Sequence, residues 1–216
     1  MRVPEGDRAP WQDRPVTDSA SQPLPGRVLV VCTANVCRSP LAEALLAAAL
    51  TGTDVASAGV RAMDGAAMCA VSASLLPDAP EHVARQLTTA LVAEADLVLT
   101  MEREQRSAAV RLAPGSQSKV FTLREATALL HGLADRGAPA PEDVAALAKA
   151  MHGTRGLVPI PVPEPPKRRW WSRPVEPEDP LTIVDGHGHA EEEHRAAVEQ
   201  VEATTEDLLG ALRALR

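Results

Sequence analysis

The sequence predicts an α/β domain built on a four-stranded parallel sheet with helices on both faces. From Arg27 onward, short apolar segments alternate with longer segments of helical composition. Such alternation is typical of parallel strands that are covered on both sides by helices. The chain has 216 residues, of which 45% are hydrophobic, and this length suffices for one domain with a substantial core. The predicted strands are Val28–Val31, Asp54–Ala58, Asp96–Met101 and Lys119–Leu123.

Helices are predicted between and after these strands. The run LAEALLAAAL has high helix propensity, and Pro40 just before it suits a first helical turn. One helix is predicted on each side of the third strand, and the second of them ends at Pro114 and Gly115. Two more follow, in REATALLHGLADRG and PEDVAALAKAMHG. The last run, from His189, predicts a long amphipathic helix. Its apolar face is formed by Val198, Val201, Leu208, Leu209, Leu212 and Leu215.

Two segments interrupt this domain, which is predicted to span residues 27–216. Residues 1–26 are polar, rich in proline and without periodicity, which indicates a flexible N-terminal tail. A segment at about 153–177 holds too many prolines for a helix or a central strand, so we expect a Pro-rich surface insertion. Its basic and aromatic run could instead dock a partner. The docking candidates are Lys167, Arg168, Arg169, Trp170 and Trp171.

Composition limits the possible partners and location of the chain. The net charge of −7 gives no reason to expect nucleic-acid binding. No apolar run approaches the ~20 residues that cross a bilayer, and the N-terminus has no signal-peptide core, so stable membrane insertion is not expected. The chain has three cysteines, a number that fits a reducing compartment better than a disulfide framework. We therefore expect a cytoplasmic protein.

The segment RVLVVCTANVCRSPLAEALL carries the clearest chemical signal. A strand, a tight loop and a helix N-terminus aim backbone N–H groups at an anion. The loop Thr33–Arg38 has the length to surround one phosphate-sized oxyanion, and the Arg38 guanidinium can bind its oxygens in a fork. Cys32, on the floor of such a cup, is expected to be a thiolate nucleophile. The phosphate-binding loop is therefore predicted to comprise Thr33, Ala34, Asn35, Val36, Cys37 and Ser39.

Two loop residues have further expected roles, and the same residues allow two alternatives to the anion cup. Asn35 suits a left-handed position, and the Ser39 hydroxyl can donate to the Cys32 sulfur. A buried structural cysteine beside an incidental arginine would not explain the strand–loop–helix context. A metal site is the second alternative, since HGHAEEEH supplies histidines that could bind a metal. That run fits the start of a solvated helix better, so neither a metal nor a cofactor is predicted.

At these residues the chain resembles the low-molecular-weight protein-tyrosine phosphatases, whose usual signature is C-x-G-N-x-C-R-S-P. Further segments match this family in the same order along the chain: SAG at 57–59, HVARQLT at 82–88, ADLVLTM at 95–101 and EDP at 178–180. The resemblance covers roughly residues 27–135 and 175–214. It implies the phosphatase I-like, three-layer fold of that family, which is similar to flavodoxin and Rossmann folds.

The resemblance also implies a reaction, a phosphate-monoester hydrolysis through a cysteinyl-phosphate intermediate. Cys32 would attack phosphorus, Arg38 would bind the phosphoryl oxygens, and Asp179 would be the general acid. Asp185 is the competing acid. The substrate would be a phosphotyrosine protein or a small aryl phosphate, without a metal. The supporting network of the family would here be Asn35, Ser39, Ser57 and His82.

The chain departs from the family pattern in the loop and at the substrate rim. Ala34 replaces the loop glycine, which is tolerable if this position keeps a negative φ. The aromatic residues that grip a phosphotyrosine ring are missing after the D-P pair and after the second strand. The rim would then be formed by Leu181, Met63 and Arg61, or the tryptophans of the insertion would fold over it.

Two other functions and one form of regulation follow from the same residues. Arsenate reduction also begins with a thiolate that attacks an oxyanion, but it needs further thiols, and only Cys69 lies downstream. A catalytically weak anion-binding or regulatory module is the third possibility. Cys37, five positions after Cys32, is a candidate redox residue, because it could capture an oxidised Cys32 as a disulfide.

Overall fold

A computed structural model describes residues 23–76, 78, 81–159 and 179–215, and places four parallel strands in the order β2-β1-β3-β4. β1 is Gly26–Cys32, β2 is Thr53–Gly59, β3 is Leu97–Thr100 and β4 is Val120–Thr122. The register pairs Val30 of β1 with Ser57 on one side and with Leu99 on the other. All four strands were predicted, with ends that differ by up to two residues, and the predicted fold class is confirmed.

Seven α-helices connect and cover the strands in the part of the chain that the structure describes. They are α1 (Arg38–Ala49), α2 (Ala70–Ala73), α3 (Thr89–Glu94), α4 (Arg103–Leu112), α5 (Leu123–Asp135), α6 (Val144–Thr154) and α7 (Glu191–Arg213). A 3-10 turn over Pro114–Lys119 joins α4 to β4. None of the described helices is long and apolar enough to span a membrane.

Alternation along β1 produces the three layers. Val28, Val30 and Cys32 point into a large core shared with α1, α5, α6 and α7. Leu29 and Val31 point into a smaller core on the opposite face, against α3 and α4. Because every side chain of β1 from Val28 to Cys32 is buried, the strand reads in the sequence as a continuous apolar run.

The two irregular segments differ from prediction at their borders. Residues 1–22 lie outside the described residues, but Leu24 is buried and its N–H donates to the Thr51 carbonyl at 3.0 Å. The domain therefore begins before residue 27. Residues 160–178 also lie outside the description, whereas Arg155, inside the predicted insertion, is anchored. Its guanidinium lies 4.0 Å from the centroid of the Phe121 ring and 2.9 Å from the Glu125 carboxylate.

Candidate active site

The strand–loop–helix unit forms at the predicted residues. β1 ends at Cys32 and α1 begins at Arg38, so the five residues between them turn the chain at the carboxyl edge of the sheet. β2 ends beside this loop at Gly59, where an added Cβ would lie only 2.6 Å from the Thr33 carbonyl oxygen. The absence of a side chain at Gly59 lets the loop pack directly against the end of β2.

Cys32 lies on the floor of the loop, as predicted. Its Sγ accepts hydrogen bonds from the Ser39 hydroxyl at 3.0 Å and from the Asn35 backbone N–H at 3.2 Å. Cys32 is 2% exposed and Ser39 is fully buried. Both donors favour negative charge on the sulfur, so the loop is arranged to stabilise a thiolate before any substrate binds.

Asn35 holds the loop in the predicted left-handed conformation. Its φ of +58° is the one positive value among the described non-glycine residues, so Ala34 keeps a negative φ and the glycine of the family is not required there. The Asn35 amide nitrogen donates to Ser57 Oγ at 2.7 Å and to Ser39 Oγ at 3.0 Å. Its amide oxygen accepts from the Arg85 N–H at 2.9 Å.

The network implied by the resemblance extends to one further residue. His82 Nε2 lies 2.8 Å from the Asn35 carbonyl oxygen, and its Nδ1 lies 3.8 Å from Glu43. Ser57 Oγ donates to Glu43 Oε2 at 2.5 Å. Sequence reasoning missed Glu43, although its position in the second turn of the helix that follows the loop could have indicated it.

We expect Asn35→Ala to lower the free energy of unfolding by about 3 kcal/mol, because alanine is disfavoured at a positive φ and cannot make the three side-chain hydrogen bonds. Chemical denaturation would measure this change. Asn35→Gly is the matched control, since it removes the same hydrogen bonds but tolerates the positive φ. An alanine variant at least as stable as the glycine variant would contradict a contribution from the backbone conformation.

Arg38 is buried, with 2% exposure, and its guanidinium is fixed from three sides. Nη1 pairs with Glu102 and donates to the Ile183 carbonyl at 2.8 Å. Nη2 lies 2.6 Å from Asp185 Oδ2 and 3.5 Å from Thr33 Oγ1. A buried guanidinium held in this way presents a fixed positive charge at the loop.

Glu102 and Gln105 were missed by the sequence reasoning. They form the capping box of α4, and the fully buried Gln105 amide donates to Thr33 Oγ1 at 3.1 Å and to Glu102 at 2.9 Å. The sequence carries only half of the usual signal, because Gln105 has the N3 position of a capping box but glutamate is not a preferred N-cap residue. The carboxyl ends of parallel strands meet at one edge of the sheet, which brings this helix start beside the loop.

The two candidate acids have different surroundings. Asp179 Oδ2 lies 2.6 Å from Arg103 Nε, and its Oδ1 accepts from the Leu181 N–H at 3.0 Å. Asp185, which contacts Arg38, also accepts from the His187 N–H at 3.0 Å. Ile183 holds this segment in place, since its N–H donates to the Met101 carbonyl at the end of β3, at 2.8 Å. Of the two carboxylates, Asp185 is the one in contact with the loop arginine.

The predicted rim is only partly present. The chain after β2 runs along the loop. The Arg61 N–H donates to the Thr33 carbonyl and the Met63 N–H donates to the Ala34 carbonyl, both at 2.9 Å. Met63 is 52% exposed, and Arg61 is exposed as well. Leu181 is buried at 5% exposure, so its prediction as a rim residue is wrong. The docking candidates 167–171, including both tryptophans, lie outside the described residues.

Cys37 turns its side chain away from the cup. Its Sγ lies 2.8 Å from His194 Nε2 and 3.5 Å from His187 Nδ1. A hydrogen bond between the Cys37 and Cys69 side chains lowers the pKa of Cys69 to about 5, and it raises the pKa of Cys37 well above its usual range. Cys32, Cys37 and Cys69 are all free thiols. Capture of an oxidised Cys32 by Cys37 stays a prediction that requires Cys37 to leave these partners.

A family description, low molecular weight phosphotyrosine protein phosphatase, matches residues 27–152, which is more than half of the chain. The chain belongs to this family. The predicted family is thereby confirmed, and with it the enzyme class, a phosphatase. The matched residues include the cysteine loop, His82 and Glu102, but they end before either candidate acid.

Individual relatives of this phosphatase agree with the assignment. It is 40% identical to a probable low molecular weight protein-tyrosine-phosphatase, EpsP, of Ralstonia nicotianae, over 45% of this chain and 70% of EpsP. It is 42% identical to Wzb of Salmonella typhi, over 44% of this chain and 66% of Wzb. Among solved structures, the YwlE arginine phosphatase from Geobacillus stearothermophilus has a TM-score of 0.57 and 27% identity. That match covers 88% of this chain and 94% of YwlE.

Proposed function

We propose that this chain is a protein-tyrosine phosphatase that hydrolyses phosphate monoesters through a cysteinyl-phosphate on Cys32. The observation that carries the proposal is the Cys32 sulfur, which accepts two hydrogen bonds at the floor of a loop closed by the buried Arg38. An anionic sulfur would otherwise repel a phosphate dianion. The guanidinium and the helix N-terminus offset that repulsion and stabilise the charge on the phosphoryl oxygens in the transition state.

The first step transfers the phosphoryl group to the enzyme. The Cys32 thiolate forms a sulfur–phosphorus bond while the bond between phosphorus and the ester oxygen breaks. The leaving oxygen takes a proton from a carboxylic acid. We assign this role to Asp185, because a phosphoryl oxygen that replaces it on Arg38 Nη2, now 2.6 Å away, would release this carboxylate beside the cup, where it can take up a proton. Asp179, which the D-P pair favours, is held instead by Arg103.

The second step restores the enzyme. Water attacks phosphorus, the sulfur–phosphorus bond breaks, and Asp185 accepts the proton of the attacking water. Inorganic phosphate leaves, and Cys32 is again a thiolate. The Ser39 hydroxyl, 3.0 Å from the sulfur, stabilises the thiolate both as the attacking group and as the leaving group.

The family and the rim of the cup both bear on whether the substrate carries phosphotyrosine or phosphoarginine. The family acts on phosphotyrosine proteins, and EpsP and Wzb carry that description. YwlE is described as an arginine phosphatase, so phosphoarginine is the alternative substrate. Phe121 is fully buried, and an aromatic ring to stack on phosphotyrosine would have to come from Trp11, Trp170 or Trp171, which lie outside the described residues. Docking of a partner through Lys167–Trp171 and a cytoplasmic location also stay predictions.

Phosphate release tests this proposal directly. We expect the full chain to release phosphate from a phosphotyrosyl peptide faster than from a phosphoarginyl peptide of the same sequence. A third reaction would offer arsenate with a small-molecule thiol. Faster release from the phosphoarginyl peptide would overturn the substrate class. Thiol-dependent arsenate turnover without phosphate release would overturn the reaction, and no turnover of any substrate would favour the binding module.

A further inference from the structure

Outside the cup, four potential metal ligands from three parts of the chain come together. Cys37 and Cys69, with His187 and His194, form the cysteine–histidine cluster. One donor atom each from Cys37, Cys69 and His194 lies within 4.8 Å of the other two. A further donor, His187 Nδ1, lies 3.5 Å from Cys37 Sγ but is not within 4.8 Å of all three of these atoms. None of these side chains is needed in the hydrolysis proposed above.

Two of the three sulfur–nitrogen separations known for this cluster match a tetrahedral zinc site. Zinc bonds of about 2.3 Å to sulfur and about 2.0 Å to nitrogen place a ligating sulfur and nitrogen about 3.5 Å apart in a tetrahedron. Cys69 Sγ and His194 Nε2 are 3.5 Å apart, as are Cys37 Sγ and His187 Nδ1. Cys37 Sγ and His194 Nε2 are closer, at 2.8 Å. That pair has to open by about 0.7 Å when a metal enters.

The backbone holds the two cysteines beside each other. The Cys69 N–H donates to the Val36 carbonyl at 2.6 Å, which fixes Cys69 one residue from the position of Cys37. The fully buried Ser72 hydroxyl donates to the Cys37 carbonyl at 3.1 Å. The pair is therefore set by the loop and by α2.

Close packing brings the two histidines to the same place. An added Cβ at Gly186 would lie 2.5 Å from the His194 Cα, so only glycine lets this segment lie so near the first turn of α7. The His187 and His194 rings meet edge to face, with centroids 5.3 Å apart. His187 is exposed and Cys37 is 4% exposed, so an ion would approach from the histidine side.

We infer that Cys37, Cys69 and His194 bind Zn²⁺, and that the exposed His187 side chain moves in as the fourth ligand. Two thiolates and two neutral imidazoles are a ligand set that zinc binds in proteins, and the two negative charges balance the charge of the ion. Each thiol that becomes a ligand gives up its proton to solvent. The bound ion would join the phosphate-binding loop to the segment that carries Asp185 and to α7.

A cluster that binds no metal would behave differently. The four side chains would then form only a hydrogen-bonded polar cluster, or Cys37 and Cys69 would form a disulfide when an oxidant is present. Zinc would then bind weakly, or only at the Cys32 thiolate. The test must therefore separate the cluster from the cup and must be carried out in a non-thiol reductant.

Zinc affinity of the full chain, measured by competition with a chromogenic chelator, is the test. We expect one equivalent of Zn²⁺ to bind tightly to the wild type, and Cys69→Ser and His194→Asn each to weaken binding by at least about 100-fold. His189→Asn is the matched control, because His189 pairs with Glu193 in the same segment. It should leave the affinity unchanged, and so should Cys32→Ser. Co²⁺ in place of Zn²⁺ should give sulfur-to-metal charge-transfer bands that Cys69→Ser reduces.

The outcomes separate this proposal from the proposed function, because none of them depends on turnover. Zinc binding that is lost in Cys32→Ser but kept in Cys69→Ser would place the ion in the cup and overturn the inference. Equal affinity of wild type and His194→Asn would overturn it as well. If a variant unfolds, the other variant and the thermal shift of the wild type with Zn²⁺ still decide, since a ligand of the native state raises its unfolding temperature. No shift would count against the site.

Discussion

Cys32→Ser is expected to lower kcat for aryl-phosphate hydrolysis by at least about 10⁴-fold, since it removes the nucleophile of both steps. A serine hydroxyl is not ionised at neutral pH and needs a general base. The described partners of the Cys32 sulfur are Ser39 Oγ and the Asn35 N–H, which both donate to it. Neither of these two described partners is a base that could take the proton from a serine. Steady-state phosphate release would measure the loss.

The same variant supplies its own control for folding. Serine is smaller than cysteine and can keep the Ser39 contact, so we expect the unfolding temperature and the affinity for inorganic phosphate to stay close to those of the wild type. Acid quenching of the wild type during turnover, followed by mass spectrometry, should show one phosphoryl group on the peptide that holds Cys32. Turnover within tenfold of wild type in Cys32→Ser would show that another group carries the reaction.

Asp185→Asn is expected to lower kcat by about 10²- to 10³-fold on a substrate with a poor leaving group, such as phenyl phosphate. Asparagine keeps the shape of the side chain and has no proton to give to the leaving oxygen. On an aryl phosphate with strong electron-withdrawing substituents, the leaving oxygen needs little protonation, so the loss should shrink to a few fold. This dependence on the leaving group distinguishes an acid from a residue that only shapes the site.

Asp179→Asn is the matched comparison, because it makes the same chemical change six residues earlier in the same segment. Its carboxylate lies 2.6 Å from Arg103, and we expect kcat to fall by no more than a few fold on either substrate. A larger loss of kcat in Asp179→Asn than in Asp185→Asn on the poor leaving group would contradict the assignment to Asp185. It would also restore Asp179, the acid that the D-P pair predicts.

Much of the cup could be predicted because its parts are adjacent in the sequence. A strand, a six-residue loop and a helix start lie within about twenty residues. Their roles could therefore be predicted without the tertiary fold, because the local geometry of the loop brings Cys32, Arg38 and Ser39 together. Asn35 could be assigned a left-handed conformation for the same reason, and its φ confirms it.

Contacts between distant parts of the chain were harder to predict. Which carboxylate reaches Arg38 depends on the path of the chain through Ile183, and the end of β3 sets that path. Each histidine of HGHAEEEH, taken alone, is typical of a solvated helix start. His187 and His194 become candidate metal ligands only when α7 packs against the loop and brings them to Cys37. The apolar face of this helix predicts that it packs on the domain, but its periodicity does not indicate that its first turn lies beside the loop.

The contact between Asp185 and Arg38 has a consequence for ligand affinity. Without substrate, the carboxylate occupies the nitrogen that a phosphoryl oxygen would bind, so the enzyme carries a tethered competitor for its own substrate. The measured affinity for any oxyanion is then the intrinsic affinity reduced by the fraction of molecules in which Asp185 has moved away. A variant with a neutral residue at position 185 would bind phosphate more tightly and would hydrolyse phosphate monoesters more slowly. Such a variant would serve better as a substrate trap than as an enzyme.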